Sequence, residues 1–97
     1  MGDRICLTIV DDLGDSSPVL YAHNAGYSLI NELNRFYRRK NGKIGMGPAD
    51  AMVNFISWLL GGDCTDGDYC IFNIGEEPVP EDEGYFYFNM DTGEVRR

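Results

Sequence analysis

The segment from Pro48 to Gly61 constrains the fold most, because apolar residues cover almost the whole circumference of the helix that it predicts. Polar residues recur within it only at Asp50, Asn54 and Ser57, which gives one narrow stripe. A helix that is apolar on most sides is normally buried. We therefore predict that its residues Met52 to Leu60 lie at the centre of the core, with the rest of the chain folded around them.

Strand patterns flank this helix on both sides. Ile5, Leu7 and Ile9 alternate with more polar residues, which is the period of a half-buried strand. Similar short runs cover residues 19–23, 69–74 and 85–90, and the turn sequence Asp91-Thr92-Gly93 leads into a short last strand. The first and second strands are expected to form a hairpin.

A second helix is predicted from about Ser28 to Lys40, with Asn24 or Ser28 as its N-cap and Asn41-Gly42 at its end. The element order ββααββ then indicates an α+β fold, with an antiparallel sheet of four to five strands carrying both helices on one face. The 97 residues are enough for one domain, residues 1–97, and we expect no domain boundary within them.

Charge is distributed unevenly along the chain. The six acids and six bases of residues 1–50 cancel, whereas residues 51–97 hold ten acids and two bases and carry the whole net charge of −8. Five of the bases lie between Arg35 and Lys43, at the predicted end of the first helix. We expect a dipolar surface with a small cationic end and a broad anionic side, which would steer charged partners.

The strand-to-helix junction is the segment most suggestive of a ligand site. Free backbone N–H groups at a helix start attract anions, and His23, Asn24, Gly26 and Ser28 lie together there. His23 could act as a general acid or base near neutral pH. The alternative is structural, with Asn24 or Ser28 as the cap, Gly26 in the turn and His23 in a local hydrogen bond.

Tyrosines alternate with phenylalanines in the last long strand. If Phe86 and Phe88 face the helices, Tyr85 and Tyr87 face outward, and Tyr69 is a candidate to join them. A sheet face with several tyrosines can serve as a contact surface for a protein partner, because tyrosine buries much area at little entropic cost. Ordinary cross-strand packing of the tyrosines remains an equal alternative.

Metal and disulfide chemistry find little support. Asp11, Asp12 and Asp15 form one acidic loop and Asp63, Asp66 and Asp68 form another, but neither has EF-hand spacing. An odd set of three cysteines argues against a disulfide framework, although Cys64 and Cys70 are near enough in sequence to pair. We expect no bound metal, no cofactor and no catalytic constellation.

Cellular location follows from what the chain lacks. Its longest apolar-rich run, residues 51–60, is too short to cross a bilayer, and no basic region precedes an N-terminal apolar stretch. We therefore expect a soluble cytoplasmic protein that does not bind membranes.

Two segments resemble a loose group of small uncharacterised proteins found in phages and their hosts. Residues 21–27 follow that group's Tyr-x-His-x-x-Gly-Tyr pattern, in which a strand enters a helix, with Asn24 where the group commonly has Trp. Residues 83–93 match its acidic, tyrosine-rich final strand and turn. The resemblance implies no known activity and no catalytic residues; it favours an accessory protein of a mobile element.

These features favour a non-enzymatic protein-binding module, accessory or inhibitory, over an enzyme. In one version it is an acidic inhibitor that imitates nucleic acid by presenting its carboxylates to the basic groove of a host protein. The first alternative is a small protein or enzyme that binds an anionic ligand at residues 23–28, and the second is a homodimer formed through the tyrosine face. Direct binding of nucleic acid is not expected, because the net charge opposes phosphate.

Overall fold

Two helices lie between strands in this chain. The computed structural model describes residues 4–23, 25–61, 69–72 and 83–97, with only the backbone for 69–72. The elements, in chain order, are β1 (Ile5–Val10), β2 (Val19–Ala22), α1 (Ser28–Arg39), α2 (Pro48–Leu60), β3 (Tyr69–Phe72), β4 (Gly84–Asn89) and β5 (Val95–Arg96). The α+β architecture is therefore confirmed, while the order of elements is ββααβββ rather than ββααββ.

The strands form one mixed sheet with the order β3-β2-β1-β4-β5. The predicted β1–β2 hairpin is present, and β4 pairs antiparallel with β5 after the Asp91-Thr92-Gly93 turn. However, β1 and β4 are parallel along their full length, from Ile5 opposite Gly84 to Val10 opposite Asn89. The prediction of an antiparallel sheet was therefore wrong.

The parallel pair has a topological consequence. Both β1 and β3 pair antiparallel with β2, so β3 runs in the same direction as β1. Because β4 also runs with β1, consecutive strands β3 and β4 are parallel to each other, and parallel strands cannot be joined by a tight hairpin. The chain instead passes from one edge of the β2–β1 pair to the other.

The core lies between one face of the sheet and both helices. Ile5, Leu7 and Ile9 of β1 are fully buried on this face. Further buried residues of the same cluster come from the neighbouring strands and the helices: Leu20, Ala22, Leu29, Leu33, Phe36, Ala51, Met52, Phe55, Phe86 and Phe88. Burial of each large apolar side chain of this kind contributes about 1.5–3 kcal/mol to the free energy of folding. Because both helices contribute to this one cluster, the prediction that they lie on the same face of the sheet is confirmed.

Helix α2 is less buried than its composition predicts. It contributes Pro48, Ala51, Met52 and Phe55 to the interior, whereas Val53 is 65% exposed and its last residues, from Trp58 on, are half-buried. The prediction that residues 52–60 form the centre of the core was therefore wrong. A helix that packs on a single sheet face covers only one side of itself, so the strand β1 takes the central position instead.

Local signals at the end of α1 and at both ends of α2 were interpreted correctly. Asn41 and Gly42 follow α1 with φ of 54° and 78°, and Gly61 ends α2 with φ of 58°. These left-handed conformations stop a helix and favour Gly or Asn. Pro48 is at the first turn of α2, where its missing N–H costs nothing.

Candidate functional site

The strand-to-helix junction contains short-range contacts at the protein surface. The Tyr21 hydroxyl lies 2.9 Å from Nδ1 of the exposed His23. Gly26 is buried with φ of 53°, and the Ser28 hydroxyl donates to the carbonyl oxygen of Ala25. Tyr27 occupies the N-cap position without a side-chain cap, so Ser28 is the first helical residue and not the cap.

This geometry agrees with the structural interpretation of the junction. His23 and Ser28 each have a local partner, and Gly26 makes the turn. Three clefts in the described part of the chain are lined by other residues. A ligand role for His23, Gly26 and Ser28 stays a prediction, and Asn24 lies outside the described residues.

The tyrosine face is on the side of the sheet away from the helices. Phe86 and Phe88 lie in the core, so Tyr85 and Tyr87 point to the opposite side, where both are half-buried. The guanidinium carbon of Arg96 lies 5.2 Å from the Tyr87 ring centroid. β3 places Tyr69 opposite Ala22, but the Tyr69 side chain lies outside the description.

The middle of this face is closed rather than open. Cys6 is 1% exposed and Thr8 is 8% exposed, although both alternate with the core residues of β1. Both sides of β1 are therefore covered, which is typical of strands in parallel pairs. A role for Tyr69, Tyr85 and Tyr87 in binding a partner therefore stays a prediction, with the described tyrosines available only in part.

The acidic loop after β1 is stabilised by its own polar groups. One carboxylate oxygen of Asp11 accepts hydrogen bonds from the backbone N–H of Leu13 and of Asp15, at 3.0 and 2.9 Å. The Asp12 N–H donates to the Asp91 carboxylate, and the Asn89 amide donates to the Asp12 carboxylate, each at 2.9 Å. Because β1 and β4 are parallel, their C-terminal loops meet and hold each other.

In the part of the chain that the structure describes, no group of three or more His, Cys, Asp or Glu side chains is arranged to hold a metal ion. The second predicted acidic loop and the side chains of Cys64 and Cys70 fall outside that part. Of the ten acids in residues 51–97, the structure describes Glu83, Asp91 and Glu94.

A shallow groove with large exposed apolar side chains lies at the start of α2. It has a volume of about 670 Å³ and is lined by residues 14–16 and 46–50. Met46, which lines it, is 99% exposed. Leu13 precedes the lining residue Gly14 and is 87% exposed, and Val53 lies about one helical turn beyond the lining residue Asp50 and is 65% exposed. We call this surface, residues 13–16, 46–50 and Val53, the apolar groove.

Tight backbone packing fixes the far wall of the apolar groove. The Met46 N–H donates to the Asp50 carboxylate at 3.0 Å. A Cβ on Gly45 would stand only 2.6 Å from the backbone nitrogen of Ala51, so the loop can approach the helix this closely only with glycine there. This surface was not predicted from the sequence. Large apolar residues within turn-rich segments could have indicated it.

A second cleft lies between the end of α1 and the middle of α2. Its volume is about 420 Å³, and it is lined by Phe36, Lys40, Lys43, Ile44, Asn54, Ser57 and Trp58. We call it the cationic cleft. The Trp58 ring packs against Phe36 at a centroid distance of 5.6 Å, and the guanidinium of Arg39 lies 5.7 Å from the Trp58 centroid. Arg35, Arg38 and Arg39 line a smaller cleft of about 260 Å³ nearby.

Comparison with protein-family models, with curated proteins and with solved structures gave no match to this chain. Within the described residues, no helix is long and apolar enough to cross a membrane. Any functional conclusion therefore depends on the geometry and chemistry of the surfaces above.

Proposed function

We propose that this chain is a small non-enzymatic protein-binding module, accessory or inhibitory, that contacts its partner through the apolar groove. The observation that carries this proposal is the nearly complete exposure of Met46 in the groove, with the exposed Leu13 and Val53 close in the chain to residues that line it. Large apolar side chains grouped on a surface are typical of a protein contact, because burying them provides the main driving force of association.

The charges around the apolar groove support a basic partner. Asp15 and Asp50 line the groove itself, and Asp11, Asp12 and Asp91 belong to the hydrogen-bonded loop beside it. An apolar centre with a polar, charged rim is the usual anatomy of a protein interface. The partner should therefore present apolar side chains surrounded by Lys and Arg, which agrees with the net charge of −8.

The loop that carries Leu13 is held in place before any partner arrives. Asp11 fixes its turn, and Asp91 fixes the backbone of Asp12. A surface that is already ordered loses less conformational entropy on binding than a mobile one. This rigidity favours a binding role for the exposed Leu13 side chain.

The test is a capture experiment at two salt concentrations. Immobilised wild-type chain should retain a basic protein from a host lysate at low salt and lose most of it at high salt. The variant Leu13→Ser/Met46→Ser should lose that protein at both concentrations. The matched control Leu13→Met/Met46→Leu keeps apolar side chains of similar size and should retain it. Equal capture by all three chains would refute the proposal.

Self-association through the tyrosine face and the likeness to phage and host proteins also remain proposals. Sedimentation equilibrium separates self-association from partner binding, since a dimer would form without any second protein. A chain that is monomeric at high micromolar concentration would rule out self-association through the tyrosine face.

A further inference from the structure

We propose that the cationic cleft binds a small aromatic anion of the size of a nucleoside monophosphate. This site is separate from the apolar groove, because none of its lining residues belongs to that surface. Its walls combine two features that such a ligand requires: positive charge for the phosphate and aromatic surface for the base.

The positive charge of the cationic cleft has few partners. Lys40 and Lys43 are exposed, and the carboxylate that pairs with this cationic end among the described residues is Glu32, which contacts Arg35 at 2.9 Å. Cations in the last turn of α1 can offset the negative end of the helix dipole. Lys43 lies beyond Asn41 and Gly42, after the helix has ended, so the dipole does not account for its position.

The aromatic wall is provided by Trp58 with Phe36 behind it. Trp58 is half-buried, so its ring is fixed by packing and still borders the cleft. The Asn54 amide nitrogen donates to the Ile44 carbonyl oxygen at 2.8 Å, which orients that side chain and leaves its oxygen as an acceptor. Together with the Ser57 hydroxyl, it can meet the polar edge of a base.

Size and net charge favour a mononucleotide over a longer nucleic acid. The cleft volume of about 420 Å³ falls in the range of small-molecule sites. A polyanion would extend beyond the five local cations and meet the field of a chain with net charge −8. A single phosphate close to Lys40 and Lys43 experiences chiefly the local positive charge.

The experiment uses the intrinsic fluorescence of Trp58, which is the one tryptophan in the sequence. AMP is titrated into the full chain, with inorganic phosphate and adenosine as separate probes, and calorimetry provides a second measurement. We expect a saturable fluorescence change with AMP at millimolar or lower concentration. Phosphate alone and adenosine alone should each bind at least about tenfold more weakly, because each lacks one half of the recognition.

Two variants with the same change in net charge separate a local site from general attraction. Lys40→Gln/Lys43→Gln removes the charges of the cleft. Arg96→Gln/Arg97→Gln removes two charges elsewhere, because Arg97 contacts Tyr27 at the start of α1 and Arg96 lies against Tyr87 on the other side of the sheet. The first variant should weaken AMP binding at least about tenfold, and the second by less than about twofold. All four of these side chains are exposed, so both variants should fold.

Three results would overturn this proposal: no saturable signal with AMP, equal weakening in both variants, or phosphate or adenosine binding as tightly as AMP. None of them affects the capture experiment on Leu13 and Met46, so the two proposals can fail independently.

Discussion

The hydroxyl of Ser17 accepts a hydrogen bond from the backbone N–H of Ile9 at 3.0 Å, inside the protein. The same hydroxyl donates to the carbonyl oxygen of Pro18 at 2.8 Å, and the Ser17 N–H donates to the Ile9 carbonyl oxygen, also at 2.8 Å. One buried serine thereby closes the loop of residues 11–16, which carries Leu13, onto the central strand β1.

Replacing Ser17 should destabilise the fold. Ser17→Ala leaves the buried Ile9 N–H without an acceptor, which costs about 1–3 kcal/mol of unfolding free energy. For a chain of this size the melting temperature should fall by roughly 4–8 °C per kcal/mol. Ser16→Ala is the control, because Ser16 is exposed and its loss should change the free energy by less than about 0.5 kcal/mol. Equal melting temperatures for the two variants would contradict this role of Ser17.

Gly45 should tolerate no side chain. In Gly45→Ser the new Cβ would meet the backbone of Ala51 at 2.6–2.8 Å, and the loop would have to move away from α2. Overpacking of this kind costs about 1–3 kcal/mol, measurable as a lower urea midpoint.

Gly47 provides the matched control for Gly45. It is the N-cap of α2, has extended backbone, and a Cβ there would meet nothing within 4 Å. Because serine is a favourable N-cap, Gly47→Ser should leave the urea midpoint unchanged or raise it. A midpoint for Gly45→Ser that equals that of Gly47→Ser would show that the loop does not pack against α2 in this way.

The strand-to-helix junction should be independent of partner capture. β2 runs antiparallel to β1, so His23 lies at the end of the sheet opposite the loop of Leu13. His23→Ala/Ser28→Ala should keep the captured protein and should shift the unfolding free energy by less than about 0.5 kcal/mol, since both side chains are exposed. If this variant loses the protein while remaining folded, the protein contact involves the junction, which contradicts the proposed role of the apolar groove.

Local sequence signals predicted the helices well but not the pairing of the strands. Pro48, Gly61 and Asn41-Gly42 determine helix ends through the conformations of their own backbone, so the sequence shows them directly. The pairing of β1 with β4 joins residues far apart in the chain, such as Ile5 and Gly84, and alternation within a strand does not indicate its neighbour.

The surfaces were harder to predict than the elements. The composition of α2 predicted a helix that is buried on nearly all sides. This prediction was wrong because the apolar pattern of a helix does not show how many of its sides contact other elements. Val53 is therefore exposed, and Trp58 borders a cleft instead of filling the core. Leu13 and Met46 lie in loops, where periodicity provides no information about exposure. The cationic end from Arg35 to Lys43 was predicted, but the cleft that it borders was not.

The most direct test of the central claim is the affinity of the captured partner, once identified, for wild type, Leu13→Ser/Met46→Ser and Leu13→Met/Met46→Leu, measured by calorimetry. The account predicts that the serine variant binds at least about tenfold more weakly and that the apolar control binds within about twofold of wild type. Indistinguishable affinities for all three folded chains would show that the protein contacts its partner elsewhere.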